Sequence, residues 1–225
     1  MSRALPSAAY TDPGRTQEPS TSRTSQDITK LQKDTLHAAL RVDQAGEVAA
    51  NYIYMGQLAV LGRDRIVGPL IQEMWDQEKK HLNVMNKLQL QHRVRPTILW
   101  QVAKVAGFGL GAITALMGKE AAMACTEAVE TVIGEHYDEC VDSLRRLCRN
   151  IDRMTCSQLK ELNEMKSSHP SISLLKDVIR EFRDDELEHL DTAVEYHSQR
   201  APAHALLSTV VGGGCKMAIE LCKRF

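Results

Sequence analysis

The sequence predicts an all-α protein, organised as a four-helix bundle with additional apolar helices. Three observations predict this class. Only 7 of the 225 residues are proline and 4% are aromatic. Long segments are rich in Ala, Leu, Glu and Met, which favour helices. Apolar residues recur at alternating steps of three and four, which is the helical period. A chain of this length can bury one sizeable core.

Four long helices are expected from this periodicity, and caps and stops set their bounds. In chain order they cover residues 27–61, from just after Gly68-Pro69 to about 92, 112–149 and 172–199. Asp27 is a suitable cap for the first helix and Gly62 a suitable stop, while Pro96 ends the second. The polar region 145–171 is interpreted as an insertion at one end of the bundle.

The first 26 residues are rich in Ser, Thr and Pro and carry three arginines. This composition fits either a disordered leader or a mitochondrial transit segment. Residues 27–225 are expected to form the folded domain. The net charge of −1 and the absence of a basic cluster give no electrostatic case for nucleic acid as a partner. Six cysteines without C-x-x-C spacing are interpreted as reduced thiols.

Two apolar segments, 97–118 and 203–222, lie outside the four bundle helices. The first has one charge, Lys104, and is long enough to span a membrane. Attachment to one leaflet is the favoured interpretation, and packing as ordinary core helices is the alternative. Residues 107–112 match a dinucleotide-binding fingerprint, but no βαβ unit surrounds them. Ala103, Gly107 and Gly111 instead have the four-residue spacing that allows close helix packing.

Two Glu-x-x-His pairs, Glu78–His81 and Glu186–His189, interrupt apolar helical stripes. With 8 His and 16 Glu in the chain, chance gives fewer than one such pair, so two on core stripes are informative. A buried carboxylate costs several kcal/mol unless a cation or hydrogen bonds compensate it. A metal site is therefore predicted. Solvated or otherwise satisfied polar groups are the alternative.

Two further stripes each contain one Glu, at Glu47 and at Glu130, with Glu127 as a rival to Glu130. The order Glu, Glu-x-x-His, Glu, Glu-x-x-His is the ligand set of carboxylate-bridged di-iron bundles. Asp43 and Asp191 are candidates to orient the histidines, or else surface charges.

Six motifs closely resemble the 5-demethoxyubiquinone hydroxylase family. They are residues 41–47 (RVDQAGE), 67–69 (VGP), 74–78 (MWDQE), 93–96 (RVRP), 118–126 (GKEAAMACT) and 183–189 (RDDELEH). The resemblance covers about residues 35–225. Gln44 and Tyr52 depart from it, since the family commonly has His and Arg there.

The resemblance implies a ferritin-like di-iron monooxygenase that hydroxylates the demethoxyubiquinone ring with dioxygen, in the penultimate step of ubiquinone biosynthesis. It implies NADH as the electron donor, and a peripheral location on the matrix side of the mitochondrial inner membrane. A lipid-binding accessory protein of the pathway is the implied partner, and homo-oligomerisation is left open. His136 and Tyr137 match a family pair next to the metals, which implies a catalytic role in relaying protons or electrons; a packed aromatic ring and a supporting hydrogen-bond donor are the alternative. The implied iron ligands are Glu47, Glu78, His81, Glu130, Glu186 and His189, with Glu78, Glu186 or Glu130 as bridges.

Two rival functions are weighed against this one. The first is a ferritin-type ferroxidase or iron-handling protein, which keeps the metals but needs no quinone. The second is a helical scaffold at a membrane surface, in which Arg or Lys neutralises the buried acids.

Overall fold

The chain forms six α-helices within residues 30–149 and 170–224, which are the residues that the computed structural model describes. The predicted all-α class is therefore confirmed. A short 3-10 helix, Ser198–Arg200, precedes the last of them. The helices are α1 (Lys30–Leu61), α2 (Val67–His92), α3 (Trp100–Leu116), α4 (Lys119–Arg149), α5 (Pro170–Glu195) and α6 (His204–Arg224). The leader, the Asp27 cap and most of the 145–171 region lie outside the described residues.

Helices α1, α2, α4 and α5 form the bundle, and two of its apolar clusters draw on all four helices. One cluster combines Leu40 of α1, Met85 of α2, Tyr137 of α4 and Phe182 of α5. The other, nearer the opposite end, draws on Tyr54, Ile71, Met123 and Ala193 of the same helices. Between them each bundle helix contributes one Glu that is at most 3% exposed, so a polar layer is enclosed by two apolar ones.

For the third predicted helix, 112–149, the predicted start was wrong. The apolar segment forms a separate helix, α3, which ends at Leu116, and α4 begins at Lys119. The break lies at Gly118, whose φ of +121° is a conformation that side chains with a Cβ rarely adopt. Its N–H is bonded to the Ala115 carbonyl, which closes the last turn of α3.

Two other helix ends and one predicted interruption also differ from the sequence expectation. Helix α2 begins at Val67, where the Asp64 side chain accepts the first free backbone N–H groups. Helix α5 ends at Glu195 rather than at 199, because His197 adopts a left-handed conformation. The C-terminal segment is one continuous helix, although its three consecutive glycines predicted an interruption.

Helix α3 packs directly against the backbone of α1 through glycines. A Cβ on Gly111 would lie 2.0 Å from the Ile53 carbonyl oxygen, and one on Gly107 would lie 2.7 Å from that of Ala49. No side chain fits at such distances, so the predicted close packing through small residues is confirmed at these positions.

Helices α3 and α6 expose apolar side chains on their outer faces. Val105 of α3 and Met217 of α6 are both more than 60% exposed. Among the described helices, α6 is long and apolar enough to cross a membrane by length and composition. Helix α3 has 17 residues, which is shorter than the roughly 20 that a span requires.

Candidate metal centre

The four bundle helices bring all six predicted ligands to one level of the core. Glu47 comes from α1, Glu78 and His81 from α2, Glu130 from α4, and Glu186 and His189 from α5. Each is at most 3% exposed. Their ligand atoms form two groups of four, within which all atoms lie within 4.8 Å of one another. One group is Glu47, Glu78, His81 and Glu186; the other is Glu78, Glu130, Glu186 and His189.

Glu78 and Glu186 belong to both groups, so they lie between two adjacent positions. Glu186 turns one oxygen to each imidazole: Oε1 is 3.4 Å from His81 Nδ1, and Oε2 is 3.1 Å from His189 Nδ1. His189 Nδ1 is also 3.3 Å from Glu78 Oε1. Both histidines therefore direct Nδ1 toward the carboxylates.

The enclosed carboxylates repel one another, and their pKa values reflect this. Burial first, and then neighbouring carboxylates, raise the pKa of Glu47 and Glu130 well above its usual value, and that of Glu78 also rises. Glu186 is the exception, because the two imidazoles close to its oxygens outweigh burial and lower its pKa. Burial alone would lower the pKa of His189, but the nearby carboxylates of Glu186 and Glu78 raise it to about 11. Four carboxylates confined to one buried layer repel one another when ionised, and bound cations would compensate that charge.

Several buried atoms of this layer have no hydrogen-bond partner. They are both carboxylate oxygens of Glu78, one oxygen each of Glu47 and Glu130, and His81 Nδ1. Buried polar atoms are normally satisfied, and each one left without a partner costs about 1–3 kcal/mol. All of these atoms belong to residues of the two groups of four. The donor set of carboxylates and imidazoles suits divalent iron, so the residues present fit a pair of such ions.

Two tyrosines donate hydrogen bonds across the bundle to Glu47 and Glu130, the two carboxylates that each belong to only one group of four. Tyr137 Oη donates to Glu47 Oε1 at 2.5 Å, and Tyr54 Oη donates to Glu130 Oε1 at 2.8 Å. Each tyrosine lies seven residues after the Glu of its own helix and bonds the Glu of the other helix. The two halves of the site are therefore related by approximate two-fold symmetry.

The histidines are oriented by residues that the sequence interpretation missed. His81 Nε2 donates to Asp185 Oδ2 at 2.9 Å, and His189 Nε2 donates to Gln77 Oε1 at 2.5 Å. Asp43, one of the two predicted orienting residues, contacts His136 instead, at 3.0 Å. The other, Asp191, is exposed and therefore does not fill this role. The missed residues each precede the Glu of a Glu-x-x-His pair, but they serve the histidine of the opposite helix, which a single stripe does not reveal.

Glu127, the rival to Glu130, lies outside the cluster. Its Oε2 atom is 2.9 Å from His204 Nε2 on α6, and its side chain is partly exposed. Side chains three residues apart differ by about 60° around the helix axis, which is enough to direct Glu130 inward and Glu127 toward α6.

An apolar cavity of about 390 Å³ lies beside the cluster, between α1, α3, α4 and α6. Its few polar groups include Asp43, His136 and Tyr137, and Tyr137 links the cavity wall to Glu47. Cys215 and Cys222 also line it and are free thiols. Burial raises the pKa of Cys215 to about 11 and also raises that of Cys222. The volume and apolar lining are typical of a small-molecule site.

The two departures from the family pattern have contacts of their own. Gln44 Nε2 donates to Asn86 Oδ1 at 3.1 Å and so links α1 to α2. The Tyr52 ring lies 5.5 Å from the Lys104 ammonium of α3. At both positions the substituted residue connects α1 to a neighbouring helix.

Comparison with known proteins agrees with this geometry. The family model described as ubiquinone biosynthesis protein COQ7 matches residues 34–222. The NADPH-dependent 3-demethoxyubiquinone 3-hydroxylase, mitochondrial, of Mus musculus is 46% identical over 198 residues, which cover 88% of this chain and 82% of the relative. The 5-demethoxyubiquinone hydroxylase, mitochondrial, of Saccharomyces cerevisiae is 41% identical, over 96% and 89% of the two chains. The 3-demethoxyubiquinol 3-hydroxylase of Rhodospirillum rubrum is 41% identical, over 82% and 76%. With a family match over most of its length and relatives above 40% identity, the chain belongs to the ubiquinone biosynthesis protein COQ7 family.

Proposed function

We propose that this protein hydroxylates the ring of demethoxyubiquinone or its quinol in ubiquinone biosynthesis, as a di-iron monooxygenase. The observation that carries the proposal is the pair of four-residue groups that share Glu78 and Glu186 in the bundle core. Family membership supplies the substrate class, because the relatives are named for demethoxyubiquinone or demethoxyubiquinol hydroxylation.

The six clustered residues would hold two iron ions. Glu47 and His81 would serve one position, and Glu130 and His189 the other. Their membership of both groups supports Glu78 and Glu186 as the shared ligands, in preference to Glu130. When bound, a ferrous pair supplies the electrons that activate dioxygen, so that one oxygen atom enters the substrate ring and the other leaves as water.

The chain's own residues would position the quinone ring and control its protons. The cavity is apolar enough to exclude water and to take a ring with the start of its isoprenoid tail. Tyr137 lies between this cavity and Glu47, and His136 beside it is held by Asp43. We assign Tyr137 and His136 the catalytic roles of proton or electron relay at the cavity wall.

A reduced nicotinamide nucleotide would be the ultimate reductant. The resemblance implies NADH, whereas the mammalian relatives are named as NADPH-dependent, so NADPH is the donor to test first. The described residues are helical and contain no βαβ nucleotide-binding unit. Electrons would therefore arrive through the quinone itself or through a partner protein.

Peripheral attachment to the matrix side of the mitochondrial inner membrane would bring the protein to its lipid substrate. Helices α3 and α6 both line the cavity and both expose apolar side chains. The Lys104 ammonium lies 4.0 Å from the Trp100 ring centroid, an arrangement suited to a lipid headgroup boundary. The names of several relatives include the word mitochondrial. A lipid-binding accessory protein would assist, and residues 1–26 would serve as the leader.

The test is a reconstituted assay of ring hydroxylation, applied first to variants of the proposed metal ligands and then to a matched pair of cavity variants. Iron-loaded protein receives demethoxylated quinone with NADPH, or the chemically reduced quinol, together with ¹⁸O₂. The expected product carries one labelled oxygen on the ring. Glu186→Ala and His189→Ala should abolish it while the protein stays helical. Iron oxidation at the same rate with and without quinone, and no labelled product, would favour the ferroxidase alternative instead.

Gly46 offers the cavity control, because it lines the cavity and a Cβ there would meet nothing within 4 Å. Gly46→Phe should block the substrate and lower kcat/KM by about 100-fold, whereas Gly46→Ala should retain activity. Both variants should bind iron as the unsubstituted protein does. Full activity of the Phe variant would show that the quinone binds elsewhere.

A further inference from the structure

The two Glu-x-x-His motifs exchange their supporting residues across the bundle. Gln77, which precedes Glu78 on α2, accepts from His189 on α5, and Asp185, which precedes Glu186 on α5, accepts from His81 on α2. The tyrosine contacts follow the same approximate two-fold symmetry. The supporting residues break it, because one is a carboxylate and the other a neutral amide.

This difference changes the two imidazoles as metal ligands. Both partners accept a hydrogen bond from Nε2, so Nδ1 is the nitrogen that would face a bound cation once its own proton is displaced. Only Asp185 adds a negative charge, which makes the imidazole of His81 more basic and a stronger donor to a cation. His81 is fully buried and the Asp185 side chain is 18% exposed, so solvent screens this charge only in part.

We infer that the two metal positions are unequal, and that the position formed by Glu47 and His81 binds its cation more tightly because Asp185, not Gln77, supports its histidine. This position is also the one that Tyr137 connects to the cavity. The tighter site therefore lies on the substrate side. The inference rests on the metal-binding part of the proposed function and is independent of the substrate's identity.

The experiment titrates metal-free protein with Co(II) under anaerobic conditions and follows the visible absorption of the bound ion. Asp185→Asn and Gln77→Glu are nearly isosteric changes that alter only the supporting charge. Supporting residues of this kind change metal affinity by about 10- to 100-fold. Asp185→Asn should weaken the first binding step by about tenfold, and Gln77→Glu should strengthen the second by a similar factor. Circular dichroism and thermal unfolding of the metal-free variants report whether the fold is retained.

Single-ligand variants identify which position fills first. His81→Ala should weaken binding of the first Co(II) by about tenfold or more, while His189→Ala should leave it within about threefold of the unsubstituted protein. Equal weakening by the two variants would overturn the inference, as would binding constants within about twofold of the original in both Asp185→Asn and Gln77→Glu. Failure of the unsubstituted protein to bind Co(II) at all would refute the metal site itself, and the proposed function with it.

Discussion

Replacing Glu130, one of the proposed metal ligands, should stabilise the protein when no metal is bound. Glu130→Gln keeps the shape of the side chain and its hydrogen bond from Tyr54, but removes a charge from the cluster. The new amide group would replace Glu130 Oε2, which has no hydrogen-bond partner. The substitution thus relieves repulsion among the buried carboxylates.

The size of the effect follows from the distances in the cluster. The ligand atoms of Glu130, Glu78 and Glu186 lie within 4.8 Å of one another. At an effective dielectric constant of about 20, each fully ionised pair at that separation repels by about 3 kcal/mol. Burial raises the pKa of Glu130, so the carboxylates of the cluster are partly protonated in the metal-free protein and the full repulsion is not expressed. We expect a net gain of about 1–3 kcal/mol in the free energy of unfolding.

Urea unfolding of metal-free protein, with and without excess Co(II), measures this effect. Without metal, the variant should be more stable than the unsubstituted protein. With excess Co(II) it should be less stable, because bound cations compensate the carboxylates of the unsubstituted protein and the variant binds those cations more weakly. Glu127→Gln is the matched control on the same helix, since Glu127 lies outside the cluster, and it should show no such reversal. A metal-free Glu130→Gln protein less stable than the original would refute the electrostatic reasoning.

Three further predictions concern packing, pH and catalysis. Gly111→Ala should cost about 1–3 kcal/mol in unfolding free energy because its Cβ meets backbone, whereas Gly109→Ala, with open space around it, should be neutral or stabilising; chemical denaturation distinguishes them. Burial lowers the pKa of His92 to about 4, so the unfolded chain, with a pKa near 6.5, binds the proton more tightly. Stability should therefore fall as the pH drops from about 6.5 to 4, by about 3 kcal/mol at most, and thermal scans of His92→Gln should show a shallower fall. Tyr137→Phe should lower the rate of ring hydroxylation by about tenfold or more, while Tyr54→Phe, whose hydroxyl does not line the cavity, should have a smaller effect; equal losses would remove the special role of Tyr137.

The sequence predicts the centre of the molecule better than its periphery. The helical period alone places the four glutamates of the cluster on inward faces. Residues that share three- and four-residue steps with apolar residues must lie on the same face of the helix as those residues. The break at Gly118 is not visible in that period, since apolar residues continue on both sides of it. It depends on one backbone angle.

The supporting residues of the histidines show a different limit. Asp185 and Gln77 act across the bundle, on helices more than 100 residues apart in the chain, so no local pattern contains the pairing. Asp43 was predicted from proximity along α1, yet the nearest imidazole in space belongs to His136 of α4. Position along the chain identifies which residues face inward, but only the packing of α2 on α5 and of α1 on α4 determines which of them meet.

The thiols that line the cavity have a consequence for how long the enzyme survives its own chemistry. Oxidised quinones are electrophiles that alkylate cysteine, and the thiolate is the form that reacts. With a pKa of about 11, only on the order of one in a thousand Cys215 side chains is ionised at pH 8. The apolar walls proposed to accept the quinone ring would thus keep the adjacent sulfur inert toward it, and a more polar lining would expose the protein to inactivation by its own substrate.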